Sequence, residues 1–363
     1  MNLEPKILYI MSSYNLYGGT PKKTLDLMKY FKGNSSIYVY EDAFPEFKSK
    51  FEATGGSVYE GFYGRNLFAH LKRLLVIVDK EGINVIQTQF SMGEILGSLV
   101  KLFRPNVKLL IAFVGPFKPG WFKTILASIY YKWTDSFIYI TEYVKGEKFS
   151  QFPELKKRRG NVIFNGSDRR ISEDDNMVKL KANSLFDIAG LTEWKNIQIL
   201  IEAINILVNE RNLKEVFLYV AGDGDMKATL NQLTKKYQLE DHIFLLGYQS
   251  NVGQYLDSCD IFVHPAYAEG FGIVIPEAMF AKRPIIVSNA GALPELIEND
   301  VTGLVVDPHD KIAWADAIQN LISDKDKRIC LAENAHAFAI KNFTVERFIK
   351  DYEETYHSIL DEK

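Results

Sequence analysis

The chain predicts an α/β protein built as two successive Rossmann-like domains, and three observations carry that expectation. Its 363 residues exceed the size at which one core stops growing, so two domains of about 170 residues each are expected. Short apolar runs alternate with helical segments, the pattern of β-α units in a parallel sheet with helices on both faces. The alternation occurs twice, interrupted from Asn165 to Asp175 by polar residues, Gly166 and the acidic run Ser172-Glu173-Asp174-Asp175, which is expected on the surface.

In the first series Lys6 to Met11 reads as a buried strand, followed by a glycine loop through Gly19 and a helix from Thr20 to Phe31. Further strands are expected at 36–40, 58–59, 84–88, 108–113, 136–140 and 161–164. The second series places strands at 184–189, 216–221, 242–246, 261–264, 284–288 and 304–306. No repeat of 20 to 50 residues and no low-complexity tract is present, which excludes a solenoid. Ligands of open parallel sheets collect at the carboxyl ends of the strands, and Gly19, Gly222 and the loop at Glu269 all follow predicted strands.

The most informative segment is Ala268 to Met279, where Glu269 and Glu277 have seven residues between them around a glycine-containing turn. Gly270 and Gly272 free the backbone to turn tightly and approach a ligand, and Pro276 suits the first position of a helix. Amide N–H groups at such a helix start suit a diphosphate. Two carboxylates would repel phosphate but can accept hydrogen bonds from sugar or ribose hydroxyls. Together these describe a nucleotide-sugar site; the competing reading of Glu277 is an ordinary acid in a helix's first turn.

Glu269 and Glu277 match the E-x7-E pair of retaining GT-B glycosyltransferases of family 4, which this chain resembles. From Asn165 to Asp310 it follows that family's order through Asn165-Gly166-Ser167-Asp168, Trp194-Lys195-Asn196, Ala221-Gly222-Asp223-Gly224, Gly247-Tyr248, His264-Pro265-Ala266 and Thr302-Gly303-Leu304. The N-terminal half matches more loosely, at Gly18-Gly19 and Ile140-Thr141-Glu142. The resemblance implies a GT-B fold with a cleft between the domains, closing about a hinge at Asn165. Residues 1–165, with a last helix at 345–360 crossing back to them, would form the acceptor side, and residues 166–344 the donor-binding side.

By the same resemblance Glu269 contacts the transferred sugar, Glu277 the ribose, and Lys195 the diphosphate; Glu269 and Lys195 are the candidate catalytic residues. Backbone donors at Phe271, Gly272 and Ile273 would hold the leaving phosphate, with Gly222 on the same rim and Gly19 approaching from the first domain. Lys195 also reads as a surface lysine before a helix capped by Asn196, and Gly19 as part of an ordinary tight turn. Two departures stand out: Ala189 and Gly190 occupy the place where the family usually has an arginine, and Val114-Gly115-Pro116 the place where many relatives have a histidine. His264 reads as a packing residue. Asp223-Gly224-Asp225 belongs to a turn, so no metal and no cofactor is expected beyond the donor substrate, for which a UDP-sugar is anticipated.

Charge is distributed unevenly. Residues 1–165 carry 23 Lys and Arg against 14 Asp and Glu, and residues 166–363 carry 20 against 32. No helix-turn-helix, RNP-like or zinc-finger pattern points to nucleic acid. The stretch Phe117 to Lys123, continued by Leu126, Ile129, Tyr130, Tyr131, Lys132 and Trp133, mixes cations with aromatics, which suits an anionic membrane interface and a lipid-linked acceptor. It also suits an amphipathic helix packed on its own sheet with a solvated lysine edge. Apolar runs fall short of the roughly 18 to 20 residues that span a bilayer, and nothing reads as a signal peptide, so a cytoplasmic protein, at the inner face of the membrane, is expected. Cys259 and Cys330 are too few for a disulfide framework and are expected buried and inert.

The reading that follows is a retaining, metal-independent glycosyltransferase of envelope polysaccharide or glycolipid assembly. A catalytically degenerate partner or sugar-nucleotide-binding subunit, and a sugar-nucleotide epimerase on the same fold, remain open alternatives.

Overall fold

A computed structural model describes residues 3–16, 19–118, 120–168 and 178–361. Gly18 and most of the predicted junction, including the acidic run at 172–175, lie outside the described residues. The chain divides into two compact units, Met1–Gly166 with Val345–Lys363, and Ser167–Thr344.

In the first unit the described residues form a seven-stranded sheet of β1 (Ile7–Met11), β2 (Ser35–Val39), β3 (Ser57–Glu60), β4 (Val85–Thr88), β5 (Lys108–Phe113), β6 (Ser136–Tyr139) and β7 (Gly160–Val162). Their order is β3-β2-β1-β4-β5-β6-β7, with every pair parallel. β1 is buried along its whole length, as a central strand covered on both faces must be, which explains the unbroken apolar run at Ile7–Met11. The edge strand β3 is only half buried and correspondingly mixed in sequence. Helices begin where the sequence offers caps: the Thr141 hydroxyl accepts the Val144 N–H at 3.1 Å at the start of the helix Glu142–Gln151.

The C-terminal helix Val345–Leu360 belongs to this first unit. Phe348, Tyr352, Tyr356 and Ile359 form one stripe at helical spacing and are buried in the core beside Tyr9, Leu27, Met28 and Ile138. Each such side chain contributes roughly 1.5–3 kcal/mol when fully buried. The Tyr356 hydroxyl donates to Gln87 and lies 3.3 Å from the Tyr9 hydroxyl, tying the helix to β1 and β4. This return changes the charge of the unit, because residues 345–363 bring three Lys and Arg and six Asp and Glu. The first unit keeps a net positive charge, smaller than the first 165 residues suggest.

The second unit holds six parallel strands among its described residues: β8 (Ser184–Ile188), β9 (Phe217–Ala221), β10 (Ile243–Gly247), β11 (Ile261–His264), β12 (Ile285–Ser288) and β13 (Leu304–Val306). Their order, β10-β9-β8-β11-β12-β13, is the Rossmann order with its reversal between β8 and β11. Leu185, Leu200, Val220, Val263, Ile286 and Trp314 lie in its core. The doubly wound α/β architecture predicted from the alternating runs is therefore present in both units, with strand ends shifted by at most two residues. Cys259 is buried, as expected, but Cys330 is exposed. It lies in the helix Lys325–Asn342, whose buried side is made by Leu331, Ala332, Ala335 and Ala339 and leaves the thiol outside.

Candidate active site

The reversal of strand order between β8 and β11 brings together residues that are far apart in sequence. Asp187 is the penultimate residue of β8 and His264 the last of β11, and both are wholly buried. His264 Nδ1 lies 2.8 Å from Asp187 Oδ1, and its Nε2 lies 3.0 Å from Glu269 Oε1 in the loop that follows. Lys195 Nζ forms an ion pair with the same Glu269 oxygen. Asp187, His264, Glu269 and Lys195 thus make one alternating chain of acids and bases.

Local structure explains how Lys195 arrives there. It ends a single helical turn, Glu193–Lys195, and Asn196 after it adopts a left-handed conformation with φ 53°. Asn196 does not cap the next helix with its side chain, as the competing surface-lysine reading of Lys195 would have it. Its buried amide instead donates to the carbonyls of Pro265 at 3.1 Å and Pro308 at 2.8 Å. The Tyr267 N–H donates to the Trp194 carbonyl at 2.8 Å, so the turn carrying Lys195 is stitched to the loop carrying Glu269. The Glu269 backbone is held from the other side by Ala292, whose N–H donates to its carbonyl at 2.9 Å. Gly291, with φ 58°, packs so closely that a Cβ would stand 2.6 Å from the Glu269 backbone nitrogen and oxygen.

The protonation states follow from this geometry. Both acceptors facing the His264 ring are carboxylate oxygens, so each ring nitrogen must carry a proton to make its bond. Burial alone would lower the His264 pKa, but the charge and hydrogen bond of Asp187, with the bond to Glu269, more than offset it and raise the value to about 9. Glu269 is pushed the other way. Burial would raise its pKa, yet the His264 hydrogen bond and the Lys195 charge, with further contributions from the same two partners, hold it at about 2. Glu269 is a firmly ionised carboxylate with 16% of its side chain exposed, and Lys195 keeps 26% of its own.

The remaining candidates divide. The helix after Glu269 runs Val274–Phe280 and begins two residues before Pro276, which occupies its third position. A proline is tolerated there because N–H groups of the first turn have no intrahelical acceptor. Gly272 takes φ 76° and Ile273 is the residue before the helix, but Phe271 turns its ring into the core, edge-on to Phe343 at 5.8 Å. Glu277 is wholly buried in the helix. Gly222 follows β9, and a Cβ there would overlap the Ala189 carbonyl, so its glycine is required by the backbone just after β8. Gly19 opens the helix Gly19–Phe31 in the first unit, with no atom within 4 Å of the place a Cβ would take. Val114 follows β5, and a Cβ at Gly115 would meet the Phe117 ring.

His264 is therefore more than the packing residue read from the sequence, and Asp187 was read only as part of a strand. One signal for both was present: an acid inside the apolar run of β8 and a histidine ending another apolar strand each require a buried partner.

A family model described as Glycosyl transferases group 1 matches residues 168–338. An N-acetyl-alpha-D-glucosaminyl L-malate synthase of Bacillus anthracis is 29% identical over 217 residues, which is 57% of this chain and 56% of the relative. An uncharacterized glycosyltransferase of Methanocaldococcus jannaschii is 26% identical over 292 residues, 78% of each chain. The chain thus spans just over half of the length of the first relative and over three quarters of the second. The crystal structure of Anabaena Alr3699/HepE in complex with UDP aligns with a TM-score of 0.83 over 97% of this chain and 100% of its own, at 21% identity. That likeness establishes the fold as GT-B, and residues 168–338 are similar to the glycosyl transferases group 1.

Proposed function

We propose that this chain is a retaining glycosyltransferase that needs no metal, moving a sugar from a nucleoside diphosphate, with a UDP-sugar as donor, to an acceptor hydroxyl in envelope polysaccharide or glycolipid assembly. The observation that carries the reading is the ionised Glu269 carboxylate, held beside Lys195 at the switch point of the second sheet, where ligands of such sheets gather. The UDP in the Anabaena structure supports uridine as the nucleoside.

In this mechanism Glu269 accepts hydroxyl protons of the transferred sugar in hydrogen bonds and orients its anomeric carbon. The bond from that carbon to the diphosphate breaks, its electron pair going to the phosphate oxygen. The acceptor oxygen bonds to the same face of the carbon, and its proton passes to the departing phosphate. Lys195, partly exposed, turns to that phosphate and stabilises its charge, along with the backbone at Phe271, Gly272 and Ile273. Glu277 is assigned the ribose, and Gly19 is assigned to donor binding. Asp223 is engaged by Lys227 at 2.8 Å and by the Gly224 N–H at 2.8 Å, which supports chemistry without a metal at the Asp223-Gly224-Asp225 turn.

We assign the first unit a peripheral contact with an anionic membrane, at the cytoplasmic face, where a lipid-linked acceptor would be met. Trp121, Ile125, Ile129 and Trp133 recur at four-residue steps and are 78%, 56%, 47% and 39% exposed. The inner side of the same segment is anchored by Tyr130 and Tyr131, whose hydroxyls donate to the buried Glu94 carboxylate at 2.7 and 3.2 Å. Beside Trp133 a cavity of about 580 Å³ is lined by Lys101, Lys132, Lys157, Arg158 and Arg159, its one acid Asp135 being paired with Lys101. Among the described residues no helix is long and apolar enough to cross a membrane.

Incubation of the protein with UDP-, GDP- and ADP-sugars tests the reading. Release of diphosphate from one of them, faster with a hydroxyl acceptor, is expected. Tight UDP binding without turnover would instead indicate a sugar-nucleotide-binding subunit, and a changed sugar without released diphosphate would indicate an epimerase.

A further inference from the structure

Lys195 cannot both neutralise Glu269 and move to a leaving diphosphate unless some other cation stays behind with the carboxylate. The structure holds one that cannot leave. His264 is wholly buried, ends a central strand, and is fixed by one carboxylate at each ring nitrogen. Asp187 is equally buried, and its Oδ2 has no hydrogen-bond partner, so the imidazolium is the principal compensation for its charge. Both His264 and Lys195 address Glu269 Oε1, which leaves Oε2 for a sugar hydroxyl.

We propose that Asp187 and His264 form a buried positioning pair for Glu269, with His264 as the permanent imidazolium that keeps the carboxylate ionised and aimed while Lys195 is released to the diphosphate. This rests on the glycosyltransferase reading for its consequence but not for its structure. Within the pair the cation is His264, in a chain that has Ala189 and Gly190 where its relatives carry an arginine, and it acts on the sugar-binding carboxylate rather than on phosphate. Its division of labour is physical: the partly exposed, four-carbon lysine can move, and the strand-bound ring cannot. The titratable groups facing His264 are Asp187 from β8, Glu269 from the loop after β11 and Lys195 from the turn after β8. Deprotonation of the ring would remove its positive charge and leave one of the two carboxylates without its N–H donor.

Histidine labelled with nitrogen-15 in the full-length protein tests this directly. The His264 signals, identified by their loss in His264→Gln, are expected to report protons on both ring nitrogens from pH 6 to pH 8, with a midpoint near 9. Asp187→Asn, which preserves shape and removes the charge, should bring that midpoint down towards neutral. A ring with one bare nitrogen at pH 7 in the wild type overturns the proposal. In turnover assays Asp187→Asn should lower kcat by roughly 100-fold while UDP affinity stays within about twofold, because the pair aims Glu269 without touching the nucleotide. The alkaline limb of its pH profile should also move down with the ring. Wild-type kcat and an unshifted limb in Asp187→Asn contradict the proposal. Should His264→Gln fail to fold, the wild-type ring that titrates last among the histidines, and shifts in Asp187→Asn, still decides. If the protein transfers no sugar at all, the catalytic reading fails, and the ring spectra separately test the buried imidazolium.

Discussion

His264 Nε2 stands 3.0 Å from Glu269 Oε1, five residues along the same strand-to-loop connection, and this bond joins the buried sheet to the rim. Through it the charge of Asp187, invisible from solvent, bears on the carboxylate assigned to the sugar. The consequences divide into effects on chemistry, on nucleotide binding and on stability.

Glu269→Gln should cut turnover at least about 100-fold while leaving UDP binding nearly unchanged, because the amide keeps the size and loses the charge facing the sugar. Glu277→Gln should do the reverse, weakening UDP by about 1–3 kcal/mol through lost hydrogen bonds to ribose. Calorimetric titration with UDP beside initial rates separates the two. Equal UDP affinity in wild type and Glu277→Gln removes the ribose assignment.

Lys195→Ala should lower kcat by an amount approaching the 2.7–4 kcal/mol typical of deleting a key charge-stabilising donor. Folding should survive, since His264 still compensates Glu269. A Lys195→Ala variant with near-normal turnover would move the stabilisation of the leaving group to backbone amides.

Stability should depend on pH at both ends. His264, raised from 6.5 to about 9 in the folded protein, contributes stability that is fully present below pH 6.5 and lost as pH rises through 9. Glu269, lowered from 4.5 to about 2, contributes stability present above pH 4.5 and lost as pH falls through 2. The alkaline part is on the order of 3 kcal/mol. Urea unfolding of His264→Gln should show a loss of about 3–5 kcal/mol at pH 7, the cost of leaving Asp187 buried without its partner. Its deficit against wild type should shrink between pH 7 and pH 10; a constant deficit would argue for a neutral ring.

Co-sedimentation with anionic vesicles should be strong at low salt and fall as the Debye length shortens past about 8 Å. Joint replacement of Trp121, Ile125 and Ile129 by Ser should reduce it even at low salt, and Glu at Lys132 and Lys157 should reduce it further. Wild-type indifference to such vesicles would leave the exposed face to another partner.

Much of this architecture was legible in the chain, for identifiable reasons. Buried parallel strands hold unbroken apolar runs such as Ile7–Met11 and 109–113, and the C-terminal stripe from Phe348 to Ile359 repeats at helical spacing. Glu269 and Glu277 were visible because one loop and one helix hold both. The Asp187–His264 contact was not, since it joins residues 77 apart and exists only because β8 and β11 are neighbours at the reversal of strand order. The clamp of Gly291 and Ala292 on the Glu269 backbone was hidden for the same reason. Cys330 was misjudged because its helix has a narrow buried side of Leu331 and alanines, which leaves little periodicity to read.

The most direct test of the account follows the anomeric carbon. Proton NMR of a reaction containing a UDP-sugar, a hydroxyl acceptor and excess EDTA should show the donor consumed, UDP released and a glycoside with the donor's anomeric configuration, all absent with Glu269→Gln. An inverted product, a requirement for added metal, or an equal rate in Glu269→Gln would contradict it.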